Sequence, residues 1–522
     1  MQKSLKQSDL FLLSNDNYDV LYGSVSGNGG VPPGLKMWFI IPEADFPTRL
    51  ASSTPAQATG QTVLGFTAFN GTRSVGYSWG GISFSATEGY YYPPDNGMAA
   101  NAAASGTQTV VSSENDAIMV TNLTISSATS GTESLTAFFG SPLSGGFYSD
   151  PRVLFDGSHF IVAVDDINPS AATSDVRFAI STTSAPGTAL ASTDWSQASI
   201  STTWNGAWSD QPLMAVANGY LYVTTNEFTA SGSYKGDILN VVSISAATGS
   251  ATPAQTTFQL NGPSYQPAAT SHPSPSVAYP QYFVDHSGGY LNYFSLNGAT
   301  LATGTGASGS ISGMPRGGSF SAAQYGTSYK LDAGDGRVTS AVYDAANNLL
   351  YAVFEAKPAP NQAATVELVQ FKPGSSTASY LYLNNLIGTL PGLPTGYSTS
   401  GASTFNASVA VDGQGDVLVN FNASGSKMLP ADVYAFWKAG TTGSAPVLSA
   451  ASASVFDFQN SVAAYIDPGR DSVGRWGDYS TAIADASMPN GFWISNEYDN
   501  GTVQLGASTY SSWGTVLTHV AV

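Results

Sequence analysis

The chain has 522 residues, enough to bury a large core, with 17 Lys+Arg against 35 Asp+Glu and a formal charge of −18. That balance excludes a nucleic-acid partner, which needs clustered cations to displace counterions, and it disfavours docking on anionic lipid. Cysteine is absent, which excludes disulfides, thiolate metal sites and thiol nucleophiles.

The N-terminal stretch "MQKSLKQSDLFLLSNDN" carries lysines but only a short apolar run, so it does not read as a secretory leader. Runs such as "MWFII" are too short for a membrane-spanning helix. Residues 1–35 read as an N-terminal extension and 36–522 as one folded unit. The expectation for location is extracellular or cell-surface, with the periplasm as an alternative and the leader either removed or unnecessary. The Gly/Ser/Thr tract at 97–113 reads as a loop.

From there a hairpin recurs. "NDAIMVTNLTISSATSGTESLTAFFG" (115–140), "VLFDGSHFIVAVDD" (153–166), "MAVANGYLYVTTNEF" (214–228) and "PQYFVDHSGGYLNYFSLNG" (280–298) are the first four copies. After a second loop-like tract at 301–320 come "SAVYDAANNLLYAVFEA" (340–356), "SVAVDGQGDVLVNFNAS" (408–424) and "TAIADASMPNGFWISNEY" (481–498). Each is an apolar strand, a turn of Asp, Asn or Gly, and a second strand rich in β-branched and aromatic residues. The spacing leaves room for further strands, such as "SDVRFAISTT" (174–183), "GDILNVVSIS" (236–245), "ATVELVQFKP" (364–373) and "ADVYAFWKAG" (431–440). No long 3.6-residue apolar stripe with caps occurs. Four antiparallel strands repeated radially predict an all-β fold, a single β-propeller of seven four-stranded blades, with six and eight open as counts. An array of β-sandwiches would need linkers, and none is evident.

The segments "SDPRVLFDG", "GYLYVTTNEF", "LDAGDGRVTSAVYD" and "GRWGDYSTAIAD…GFWISNEY…WGTVL" resemble a family of secreted microbial β-propellers, usually described as hypothetical or sialidase-like. The resemblance spans residues 115–522, with the Arg-Trp-Gly-Asp-Tyr-Ser run as its most specific mark. It implies an exported propeller and brings no established activity. The sialidase-type Asp box is missing, and "STDW" (192–195) is only a fragment of it.

Propeller geometry places the start of each blade's first strand and the end of its second on one rim. Asp150, Asp210, Asp335 and Asp478 mark the starts, and Asp165 or Asp166, Glu227, Glu355 and Glu497 the returns. Asn406 and Asn422 take these places in one blade, and Arg152, Arg337 and Arg475 lie beside the starts. In a chain with 10% charged residues, this gathers a scarce resource on one face. The favoured reading is structural: carboxylates and guanidinium groups tie blade to blade. The functional reading makes Asp478 and Glu497 a general acid/base pair, with Tyr479 and Arg475 assisting. In it, Asp150, Arg152, Asp210, Glu227, Asp335, Arg337, Glu355, Trp476 and Tyr498 form a ligand-binding face.

The expected function is therefore a binding protein for glycans or cell-envelope polymers. A polysaccharide hydrolase or lyase on the same face is the alternative, and an acidophile's extracellular hydrolase of a small substrate is a weaker one. No cofactor is implied beyond a structural Ca²⁺ held by rim carboxylates. No membrane insertion is expected, and the oligomeric state stays open. His159, His272, His286 and His519 are scattered, against a histidine metal cage or serine triad. "GTGASG" (304–309) spells a dinucleotide fingerprint, but with 55 glycines such a match arises by chance. Few ionisable pairs predict a melting temperature roughly level from neutral into acid pH.

Overall fold

Alternating faces build this protein, and one strand shows how. In Phe160–Asn168, Phe160, Val162 and Val164 pack against the preceding sheet, while Ile161 and Ala163 pack against the following one. A strand apolar on both sides must lie between two sheets. In the computed structural model this pattern repeats around a ring of seven small sheets, a seven-bladed β-propeller. The structure describes residues 97–439 apart from short internal stretches, then 447–451, 473–474, 476–488, 491–505 and 508–521, with brief strands at 2–4, 78–79 and 82–83.

Blade I comprises Gly97–Ala100, Thr107–Glu114, Ala117–Thr124 and Ala128–Ser134. Blade II comprises Phe147–Phe155, Phe160–Asn168, Thr173–Ser181 and Trp195–Ser201. Blade III comprises Ala207–Ala217, Tyr220–Thr229, Tyr234–Ser243 and Gln255–Leu260, with Gln2–Ser4 parallel along its outer edge. Blade IV comprises Gln266–Pro267, Gln281–Ser287, Tyr290–Asn297 and the outer Ser308–Ser312. Blade V comprises Val338–Asp344, Leu349–Ala356, Thr365–Phe371 and Ala378–Tyr382. Blade VI comprises Ser403–Val411, Val417–Gly425, Met428–Trp437 and Val447–Ala451. Blade VII has three described strands, Thr481–Ala484, Gly491–Leu505 and Ser508–Ala521.

Among the described residues, apolar clusters line the seams from blade I round to blade VII. At the seam between blades VII and I, Gln108 Nε2 donates to Asp485 Oδ1 at 2.7 Å and Ser487 Oγ to the Asn101 carbonyl at 3.4 Å. Two short helices, Leu135–Phe139 and Ile244–Gly249, are N-capped by Ser134 and Ser243. None of the helices is long and apolar enough to cross a membrane.

Two loop expectations are corrected. The 97–113 tract supplies the first two strands of blade I, and 301–320 contains the outer strand of blade IV. Both tracts are rich in small residues, and on an inner strand small residues are what the crowded axis accepts: Met98, Ala99 and Ala100 are all buried. The boundary between an N-terminal extension and the propeller lies outside the described residues.

Candidate functional site

Asp150 and Asp210 lie within inner strands, at bulges, and not at strand starts as the sequence suggests. Pairing in blade II skips from Ser149 to Arg152, in blade III from Asp210 to Leu213, and in blade VI from Phe405 to Ser408. The first extra residue of each bulge is left-handed: Asp150 at φ 54°, Gln211 at φ 59° and Asn406 at φ 53°. In blades II and III the next residue is proline, tolerated because a bulge needs no ladder N–H there. The bulges turn three polar side chains toward the channel mouth. The recurring "SDPR" (149–152) and "SDQP" (209–212) are the sequence signal for these bulges, and the uncharged Gln211 beside Asp210 is the rim residue absent from the sequence-based set.

These side chains join into a girdle. Arg152 Nε donates to the Pro212 carbonyl at 3.1 Å, tying blade II to III. Arg337 Nη1 donates to Gln211 Oε1 at 2.5 Å, tying V to III across blade IV. The Asn406 backbone N–H donates to Glu355 Oε1 at 2.9 Å, and its Nδ2 to Glu497 Oε1 at 3.1 Å, linking V, VI and VII. Trp476 Nε1 donates to Asn422 Oδ1 at 3.1 Å, and Asn422 Nδ2 donates to the Glu497 carbonyl at 2.9 Å. The Tyr479 hydroxyl donates to Asp150 Oδ2 at 2.9 Å, returning to blade II over blade I. The Arg152 guanidinium carbon lies 3.3 Å from the centroid of the same tyrosine ring.

The sequence thus brought the right groups together, and the geometry divides them. Glu497, Glu355 and Glu227 are sealed inside, with Glu497 beneath Gly477 and Glu355 against Gly334. Of the expected Asp478–Glu497 acid/base pair, Glu497 is buried and accepts from Asn406 Nδ2 as a tie between blades, while Asp478 stays half-buried. Trp476, Tyr498 and Asp150 are also buried, and Tyr479 keeps 7% of its surface open. Arg475 lies outside the described residues. Asp335 is the open part of the rim, its side chain 40% exposed and 2.7 Å from Arg337 Nε.

Burial governs protonation here. It pushes Asp165 well above the usual carboxylate range, and the neighbouring Asp210, Asp150 and Glu227 push it further. Burial likewise raises Glu227 strongly, and takes Glu355 to about 8, with Asp335 adding to the effect. Asp237, beneath the Asn226 amide, reaches about 7 by burial against its hydrogen bond from Tyr234. Burial thus disfavours the charged form of the carboxyls around Asp150. Among the described residues no group of three or more His, Asp or Glu side chains is arranged to hold a metal ion, so the calcium expectation finds no ligand set there. His159 faces Asp156, His286 stacks on Phe354 at 4.0 Å, and His519 lies 2.7 Å from Asp485, so these three make separate contacts, and His272 lies outside the described residues.

No protein-family model and no curated protein matches the chain. Among solved structures it is similar to the GH93 α-L-arabinofuranosidase of Fusarium graminearum, at 10% identity, covering 83% of this chain and 96% of that one, with a TM-score of 0.36. The α-L-arabinanase of Penicillium chrysogenum follows at 9% identity, 83% and 97% coverage and a TM-score of 0.34. A Hadza microbial sialidase stands at 10% identity, 80% and 74% coverage and a TM-score of 0.36. Likeness this distant leaves the chemistry to be argued from the residues.

Proposed function

We propose that the protein is an exported glycan-acting propeller that hydrolyses a glycosidic bond at the channel mouth, with Tyr479 as nucleophile. The carrying observation is the hydroxyl of Tyr479 held 2.9 Å from the Asp150 carboxylate under the Arg152 guanidinium. A carboxylate positioned to take the phenolic proton, and a cation over the ring, both favour the phenolate.

The step balances as follows. The Tyr479 oxygen bonds to the anomeric carbon as the glycosidic C–O bond breaks. Asp150 takes the phenolic proton, and Asp478 protonates the departing sugar oxygen. Water then cleaves the glycosyl–tyrosine bond, returning one proton to Asp478 while Asp150 reprotonates Tyr479. Two displacements at one carbon retain the anomeric configuration, and a tyrosine nucleophile is a known variant of this chemistry.

The test is release of reducing ends from a panel of soluble polysaccharides. Tyr479→Phe should lower release at least a hundredfold while polysaccharide binding persists. Undiminished release by Tyr479→Phe would sink the assignment. A second reading, a non-catalytic glycan-binding protein, is favoured by the sealing of Glu355 and Glu497 into blade contacts. It predicts retention on polysaccharide with no release by the wild type.

A further inference from the structure

One hairpin on the girdle face belongs to no blade. Ser321–Ala323 pairs antiparallel with Lys330–Asp332, and the ladder continues to its base through Phe320 N–H to the Gly334 carbonyl at 2.9 Å and Gly318 N–H to the Asp335 carbonyl at 3.1 Å. Val473–Gly474 runs parallel along Lys330–Leu331, a third strand leading directly into the Trp476 segment. The base of the hairpin carries Asp335 and leads into Arg337, both at the channel mouth.

The tip lies elsewhere, on blade VI. Tyr325 N–H donates to the Met428 carbonyl at 3.2 Å, and Ser424 Oγ donates to the Ala323 carbonyl at 2.7 Å. The loop at 395–401 reaches the same turn, with Ser398 N–H donating to the Lys427 carbonyl at 2.8 Å. Because Ser403 pairs with Ser424, that turn is on the face where the inner strands begin. Two separate loops are thus fixed to one turn, and each presents a tyrosine. Tyr325 and Tyr397 meet edge-on, centroids 5.0 Å apart at 65°, with Tyr325 46% exposed. A solitary exposed aromatic means little, but here backbone hydrogen bonds fix both loops and the edge-on contact packs the two rings together, which lowers the ordering cost of binding.

We propose that Tyr325 and Tyr397 form a remote sugar-stacking subsite, which makes the ligand a polymeric glycan and not a mono- or disaccharide. The inference rests on the glycan reading above. An aromatic ring offers an apolar face to a sugar's C–H face and a hydroxyl to its polar edge. The surroundings suit a polyol, since Thr327, Ser328, Ser398, Thr399 and Ser400 crowd the two loops, with the exposed Lys427 on the turn that anchors them. The hairpin separates Tyr325 from Arg337 by roughly 20 Å, at about 3.3 Å per residue along its strand. One chain lying across the face would touch both.

The experiment uses the full chain and a graded series of oligosaccharides cut from whichever soluble polysaccharide retards the wild type most in affinity electrophoresis. Wild-type affinity should rise in a step once the oligomer spans the hairpin. In Tyr325→Ala the ratio of long- to short-oligomer affinity should fall about tenfold, a loss of about 1.4 kcal/mol of stacking. Tyr325→Phe, which keeps the ring, should restore most of it. Equal ratios in wild type and Tyr325→Ala, with the wild type still retained, would overturn the subsite alone. Failure of the wild type to be retained by any polysaccharide would overturn the glycan reading and the subsite with it.

Discussion

A Cβ built on Gly477 would collide with both oxygens of the Glu497 carboxylate. That carboxylate cannot swing aside cheaply, because it is buried and accepts from Asn406 Nδ2. Gly477→Ala should therefore act as an overpacking mutation, costing about 1–3 kcal/mol. Denaturant unfolding would show it as a lower midpoint at unchanged m-value, and unchanged stability would refute the close approach. At this scale the sequence was half legible. The crowding of Arg, Asp and Glu among aromatics near the chain's end marked a blade tie, and Glu497 is one. It could not reveal that Asn406 would be the hub, since an amide inside an apolar strand differs from its neighbours only once a bulge turns it to the mouth. Nor could it pair Tyr479 with Asp150, two residues far apart in the chain that only the closed ring brings together.

The seam between blades VII and I carries a hydrogen-bonded cluster. Asp485 gathers Gln108 Nε2 from blade I at 2.7 Å and His519 Nε2 from the last strand of blade VII at 2.7 Å, with Trp493 4.6 Å from the His519 ring. Gln108→Leu removes one of two hydrogen bonds on Asp485 Oδ1, the Ser487 N–H remaining at 2.7 Å, a loss of about 0.5–1.5 kcal/mol. The bond lies at a single seam, so the loss should be local. Hydrogen exchange is expected to quicken in Thr107–Glu114 and Gly491–Leu505 while blades III to V keep their protection. Protection lost evenly across all blades would count against a seam-specific role. Elements were legible in proportion to their regularity. Asp156-Gly157, Asn218-Gly219 and Asp412-Gly413 turn first strands into second strands rich in apolar residues, so those hairpins stood out. Inner strands carry bulges and small residues, and that is why the first two strands of blade I read as a loop.

Across the whole molecule, few charges were taken to mean a stability indifferent to acid, and the buried carboxyls change that expectation. Burial lifts Glu355 and Glu367 to about 8 and Asp237 and Asp285 to about 7, whereas in the unfolded chain such groups titrate near 4. Between those limits the native state binds more protons than the unfolded one, so stability is lost as pH rises and regained as it falls. Self-repulsion from a formal charge of −18 also relaxes on acidification. Asp485 acts in the opposite sense. Although burial opposes its ionisation, His519, the Ser487 N–H and Gln108 hold it below its ordinary value, so its contribution fades only in stronger acid. The melting temperature should therefore climb from pH 8 to about pH 5 and pass through a maximum near pH 4. A fall across pH 8 to 5 would contradict the protonated core. Glu367 supplies the control. It sits on the third strand of blade V, and neither of its buried oxygens has a hydrogen-bond partner among the described residues. Glu367→Gln keeps the shape and removes the titration, so the slope between pH 5 and 8 should flatten while the melting temperature at pH 5 changes little. An unchanged slope would mean that Glu367 is already ionised at neutral pH, and that the acid stability of the ring comes from the girdle carboxyls alone.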